Sequence, residues 1–123
     1  MPSVVIEVKK QYTKEQESTL IELIFKALVT AFDINASERT IRLFVHEPHR
    51  YMPDPGLEKP ELHTHISIDT FAGRSVDSKR KLYREIVQNL EKIGIPKNHV
   101  EILIREIPRE NWGIRGGQAG CDI

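Results

Sequence analysis

A chain of 123 residues with 18 Lys and Arg against 18 Asp and Glu is long enough for one packed core and too short for two. Zero formal net charge excludes a global field aimed at nucleic acid or an anionic membrane, so any anion site has to be local. The single Cys121 excludes an internal disulfide, and without a signal-like segment or a long apolar run the sequence predicts a reducing, cytoplasmic compartment with no membrane contact.

Val4, Ile6 and Val8 alternate with Val5, Glu7 and Lys9, a period of two that predicts a strand starting almost at residue 2. Thr13 and Gln16 have capping-box spacing. Leu20, Ile21, Ile24, Phe25, Leu28 and Phe32 then fill one helical stripe, so a helix is expected from 13 to about 32. After a polar connector at Asn35 to Arg39, Ile41, Leu43 and Val45 alternate with Arg42, Phe44 and His46 as a second strand. The Pro-dense stretch from Pro48 to Gly56 predicts a loop with no regular structure. Leu62 to Phe71 reads as a third strand. Ser75 caps a second helix with Leu82, Ile86, Leu90 and Ile93 on one face and Gly94 at its end, and Val100 to Ile107 reads as a fourth strand.

Thr13, Leu20, Ile24 and Leu28 each fall 62 positions before Ser75, Leu82, Ile86 and Leu90, which marks an internal duplication. Two βαβ halves, about 1–55 and 60–117, then make one α+β domain: a four-stranded mixed sheet with right-handed crossovers and both helices on one face. The tail after Ile107 is too short to cover the other face, so a second subunit is expected there.

Three features carry chemistry. Pro2 follows Met1, and removal of Met1 before so small a residue leaves a secondary amine. Such an α-amino group titrates near ~8; an apolar setting or a neighbouring cation lowers that value and makes it a base near neutrality. Arg74, in Gly73-Arg74-Ser75, stands where a strand gives way to a capped helix, a place for a guanidinium to hold a carboxylate. Trp112 lies between polar residues and glycines from Pro108 to Gly117, where it can wall a pocket. These glycines do not form a phosphate cradle, because no helix can start in the few residues that follow. His63 and His65 share one face of a strand, and His46, His49 and Tyr51 lie near the loop. Nothing in that spacing brings three or four ligands together, so no metal is expected.

Pro2, the run Gly73-Arg74-Ser75-Val76-Asp77-Ser78-Lys79-Arg80, the run Asn111-Trp112-Gly113-Ile114-Arg115-Gly116-Gly117 and the doubled βαβ layout together resemble the tautomerase superfamily. The second half resembles a subunit of the 4-oxalocrotonate tautomerases, and the whole chain resembles longer members such as the malonate semialdehyde decarboxylases. The resemblance implies a homotrimer, no cofactor, a late hairpin, Pro2 as catalytic acid/base, Arg74 as the carboxylate-binding arginine and Trp112 as the aromatic shaping the pocket. Glu38 stands where the decarboxylases have a catalytic aspartate. The second arginine that those enzymes carry two residues before the one at Arg74 is here Ala72, and the one that the cis-3-chloroacrylic acid dehalogenases carry three before is Phe71, which speaks against dehalogenation. Arg39 or Arg42, flanking the start of the second strand, is then a candidate for the second charge. The reaction implied is proton transfer in a small 2-oxo or unsaturated carboxylic acid. Decarboxylation of a 3-oxo acid, and a non-catalytic oligomer that binds an anionic metabolite, stay open.

Overall fold

The computed structural model describes residues 2–123; the removal of Met1 concerns a residue outside that range. Strand β1 (Ser3–Val8) buries every second residue, as the alternation requires. Helix α1 (Lys14–Phe32) opens on Thr13, whose side chain accepts the Gln16 N–H while the Gln16 side chain accepts the Thr13 N–H, a complete capping box. Strand β2 (Thr40–Val45) closes the first half. Strand β3 (Thr64–Phe71), helix α2 (Val76–Glu91) and strand β4 (Val100–Ile107) repeat the order. A short hairpin follows, β5 (Gly113–Ile114) and β6 (Gln118–Ala119), as the resemblance implied.

The sheet order is β2-β1-β3-β4. Within each half the strands run parallel, with Ser3 beside Thr40 and Thr64 beside Val100, while β1 and β3 meet antiparallel at the centre, Ser3 opposite Asp69 and Glu7 opposite His65. This is the mixed sheet expected of two βαβ units. Val4, Ile6 and Val8 of β1 and Ile66 and Ile68 of β3 pack under Leu20, Ile24 and Leu28 of α1 and Leu82, Ile86 and Leu90 of α2 in one core. Burying each such side chain contributes about 1.5–3 kcal/mol. Buried Asn89 ties the helices by donating to the Leu23 carbonyl at 2.9 Å.

The structure refines four expectations. The Pro-dense connector contains single 3-10 turns at Pro48–Arg50 and Pro60–Leu62, because proline presets φ for a first helical position where no N–H is needed. The second of these delays β3 from Leu62 to Thr64. Helix α2 ends before Ile93: Gly94, at φ 88°, turns the chain so that Gly94 N–H reaches the Glu91 carbonyl and Ile95 N–H the Leu90 carbonyl, and Ile95 enters the core. The face away from the helices is mixed rather than apolar. Half-exposed Phe44 and Leu103 flank charged pairs, Arg105 with Asp69 at 2.6 Å and His65 with Glu101 at 2.7 Å.

Candidate active site

Pro2 is buried just before β1, with the parity of Val4 and Ile6, so it sits on the helix side of the sheet. Continuing the register by one position places it between Arg39 on the β2 side and Thr70 on the β3 side. Their neighbours Glu38 and Phe71 both line a cleft of about 460 Å³, together with Arg74, Arg109, Arg115 and Ile114. The cleft therefore opens at the end of the sheet where β1 begins. Its lining side chains include three guanidinium groups and one carboxylate.

The turn from β3 into α2 positions Arg74. Gly73 adopts φ 117°, which an L side chain rarely takes, and Ser75 then caps α2 by accepting the Ser78 N–H at 3.1 Å. Glu106 of β4 braces this turn, accepting from Lys79 Nζ at 2.9 Å and from Gly73 N–H at 3.3 Å; the Lys79 hydrogen bond is the main reason its carboxyl is held below the usual range. Arg74 itself turns back to α1. Its Nη1 donates to the Phe32 carbonyl at 2.9 Å, and its guanidinium lies 4.2 Å from the Phe32 ring centroid. Helix α1 has no basic residue in its last turn, so Arg74 supplies the positive charge that the negative end of α1 favours. Burial lowers its pKa from the ordinary arginine value.

Glu38 faces Arg115, with Oε1 and Nη2 3.9 Å apart. Arg115 starts the β5–β6 turn, in which three successive residues, Arg115, Gly116 and Gly117, have positive φ. Trp112 stands behind the cleft wall, meeting Phe71 edge-on with ring centroids 5.2 Å apart. Arg39 is engaged elsewhere: Nη1 donates to the Ala36 carbonyl at 2.6 Å and the guanidinium lies 4.2 Å from the Phe25 ring centroid, and it is not among the lining residues. Arg42 contacts Ser3 on the open face at 3.4 Å. The structure thus brings Glu38 and Arg74 together at the cleft and sets Pro2 and Trp112 beside or behind it. Arg109 and Arg115 are the lining cations that sequence reasoning missed.

The histidines gather at the opposite end. His46 pairs with Glu7 at 3.0 Å, His65 with Glu101 at 2.7 Å, and Tyr51 Oη meets His63 Nδ1 at 2.7 Å. Among the described residues no group of three or more His, Cys, Asp or Glu is arranged to hold a metal ion.

Comparison with known proteins bears on this geometry. Residues 38–115 match the model of a family described as "Tautomerase enzyme", a span that takes in Glu38, Arg74, Arg109 and Trp112. The chain belongs to the tautomerase family. A 2-hydroxymuconate tautomerase of Comamonas testosteroni is 38% identical over 48 residues, 38% of this chain and 76% of the relative, and one of Pseudomonas putida is 40% identical over 48 residues with the same coverage. Among solved structures, a malonate semialdehyde decarboxylase inhibited by 3-bromopropiolate is 28% identical with a TM-score of 0.84, covering 94% of this tautomerase and 91% of that chain. A wild-type fused 4-OT solved as an asymmetric trimer shares the fold at 19% identity and a TM-score of 0.85, covering 98% and 97%. No helix among the described residues is long and apolar enough to cross a membrane.

Proposed function

We propose that this tautomerase catalyses proton transfer within a small 2-oxo or unsaturated carboxylic acid, with Pro2, freed of Met1, as the acid/base and Arg74 holding the substrate carboxylate. The observation that carries the reading is the convergence at one end of the sheet. The buried start of β1 lies beside Glu38 and Phe71, and both line the arginine-rich cleft.

The chemistry follows from that placement. A secondary amine among buried strand residues is disfavoured in its charged form, which suits it to remove a proton. Nearby guanidinium groups stabilise the enolate that forms as the proton leaves, and the amine returns the proton at a new carbon or oxygen. Nη1 of Arg74 is committed to Phe32, which leaves its remaining N–H donors for the carboxylate. General acid/base transfer by one positioned group contributes about 10²–10⁴ in rate. Trp112, packed behind Phe71, keeps that wall rigid. The half-exposed Phe44 and Leu103 on the open face support association of copies of this chain, a trimer in our reading, with both βαβ halves acting as one unit.

Decarboxylation of a 3-oxo acid is the second reading, supported by the likeness to a malonate semialdehyde decarboxylase over 94% of the chain and by Glu38 on the cleft wall. It needs Pro2 protonated at neutral pH. The test is the pH dependence of phenylenolpyruvate ketonisation by wild type and Pro2→Ala, after mass spectrometry has established loss of Met1. A loss of at least about 10²-fold in kcat/KM in Pro2→Ala is expected. A rate that rises with pH through a midpoint below 7 selects the base role, and a midpoint well above 7 selects the acid role of the decarboxylase reading. Retained Met1 or unchanged activity in Pro2→Ala would defeat both, and a processed Pro2 with no tautomerase activity in wild type would leave a non-catalytic anion-binding protein.

A further inference from the structure

Glu106 is not among the residues that line the cleft, yet it fastens the turn that carries Arg74. On β4 it shares the helix side of the sheet with Ile102 and Ile104 and stands beside buried Thr70 of β3. Thr70 is also the neighbour of Pro2 when the β1–β3 register is continued by one position, so Pro2, Thr70 and Glu106 form one cross-strand row. Both carboxylate oxygens of Glu106 go to the turn: Oε2 accepts from Gly73 N–H at 3.3 Å and Oε1 from Lys79 Nζ at 2.9 Å. Lys79 closes the first turn of α2, its N–H donating to the Ser75 carbonyl at 3.2 Å. One side chain thus joins the row of Pro2 to residues on both sides of Arg74.

The turn needs such a reference point. Gly73 has φ 117° and nothing within 4 Å of the place a Cβ would take, so no side-chain contact of its own resists a shift. The guanidinium of Arg74 is fixed to α1 through the Phe32 carbonyl and ring, and Glu106 fixes its backbone to the sheet. The Lys79 and Glu106 side chains are 19% and 40% exposed. Ion pairs with so much solvent contact add little to stability, which leaves geometry as the main effect of this one.

We propose that Glu106 is a positioning residue of the proton-transfer site: through Gly73 and Lys79 it sets the distance from Arg74, and so from a bound carboxylate, to the amine of Pro2. This rests on Pro2 and Arg74 having the roles assigned under the proton-transfer reading. With the brace cut, Arg74 keeps its charge and its hold on a carboxylate, but the reacting carbon is carried off line from Pro2. A misplacement of about 1 Å can cost up to ~10² in rate.

Steady-state ketonisation of phenylenolpyruvate by wild type, Pro2→Ala, Arg74→Ala and Glu106→Gln tests the proposal. Glu106→Gln keeps one acceptor oxygen and loses the charge that holds Lys79. It is expected to lower kcat about 10-fold and to change KM by less than about 3-fold, the pattern of lost alignment rather than lost binding. Glu106→Asp, charged but one methylene short, is expected to fall between the two. In the Arg74→Ala background Glu106→Gln is expected to have no further effect on kcat/KM, because the brace then has nothing to aim. A purely structural role would instead lower the circular-dichroism melt and add its loss to that of Arg74→Ala. Wild-type kcat in Glu106→Gln, or equal losses in the two backgrounds, overturns the proposal. If Pro2→Ala or Arg74→Ala is as active as wild type, the underlying reading fails and the brace with it. If both lose activity and Glu106→Gln does not, the brace alone falls. Should Glu106→Gln fail to fold, Lys79→Gln decides: a kcat loss that vanishes in the Arg74→Ala background upholds the proposal, and an unchanged kcat defeats it.

Discussion

Where β1 ends, Glu7, His46, His65 and Glu101 line up across the sheet, and each imidazole has a carboxylate within 3.0 Å; Tyr51 and His63 join the cluster through their own 2.7 Å bond. Where β1 begins, three arginines share the cleft wall with the carboxylate of Glu38. The first cluster satisfies its polar groups within itself. Burial, with the Glu7 and Glu101 charges adding, pushes the Tyr51 phenol up to about 12, so it keeps its proton and shares a hydrogen bond with His63. Burial also lowers the pKa of His63, which favours its neutral form. The second cluster carries cationic capacity that the fold leaves over, and that surplus supports the proposed role of this end in holding a carboxylate. Abundance of ionisable groups is therefore a poorer guide to a site than the balance of their pairing.

The contrast predicts a graded set of effects. Arg74→Ala is the sharpest test at the cleft: kcat/KM for phenylenolpyruvate ketonisation should fall about 10²-fold. Denaturant unfolding should show a loss of about 1 kcal/mol, because the Phe32 carbonyl and the end of α1 lose their donor. Arg74→Lys, which keeps the charge and loses the fork, should recover more of the stability than of the activity. Glu38→Gln should lower kcat by about 10-fold if the acid assists the reaction, and it should also release Arg115, seen as an altered salt dependence of KM.

At the other end, acid should act on stability before activity. The pKa of His63 is lowered from its ordinary 6.5, so its contribution is complete above 6.5 and is lost as pH falls through the depressed value, where the unfolded chain takes up the proton more readily. Denaturation midpoints from pH 7.5 to 5 should decline less steeply in His63→Gln than in wild type. The smallest expected effect is that of Tyr51→Phe on turnover, within about two-fold at pH 7, with a stability loss of about 1 kcal/mol from the broken bond to His63. A large loss of kcat there would reverse the assignment of the two ends.

Periodic patterns made the framework legible. The alternation of Val4, Ile6 and Val8, the Thr13 and Ser75 caps and the 62-residue offset locate both βαβ units, because each reports local geometry that the chain cannot satisfy in another way. Glu38 and Arg74 were legible as residues of one cleft through motif order. Their partners were not. Whether Arg39 or Arg109 faces the cleft depends on how the Pro108 turn brings β4 back over Phe71 and on the aromatic ring that each guanidinium finds, and neither has a sequence period. Buried His99 was equally hidden. It accepts from Lys59 N–H at 3.0 Å and bonds Asn98 at 2.7 Å, anchoring the long connector to the start of β4, a long-range contact that no local spacing reveals.

The antiparallel meeting of β1 and β3 gives that connector a further role. The two halves share a central seam and a single core, so residues 46–63 act as a tether that holds two self-similar modules at high effective concentration. Cutting the tether would turn an intramolecular pairing into a bimolecular one. The cleft draws Glu38 from the first module and Arg74 and Arg109 from the second, and its assembly would then depend on dilution.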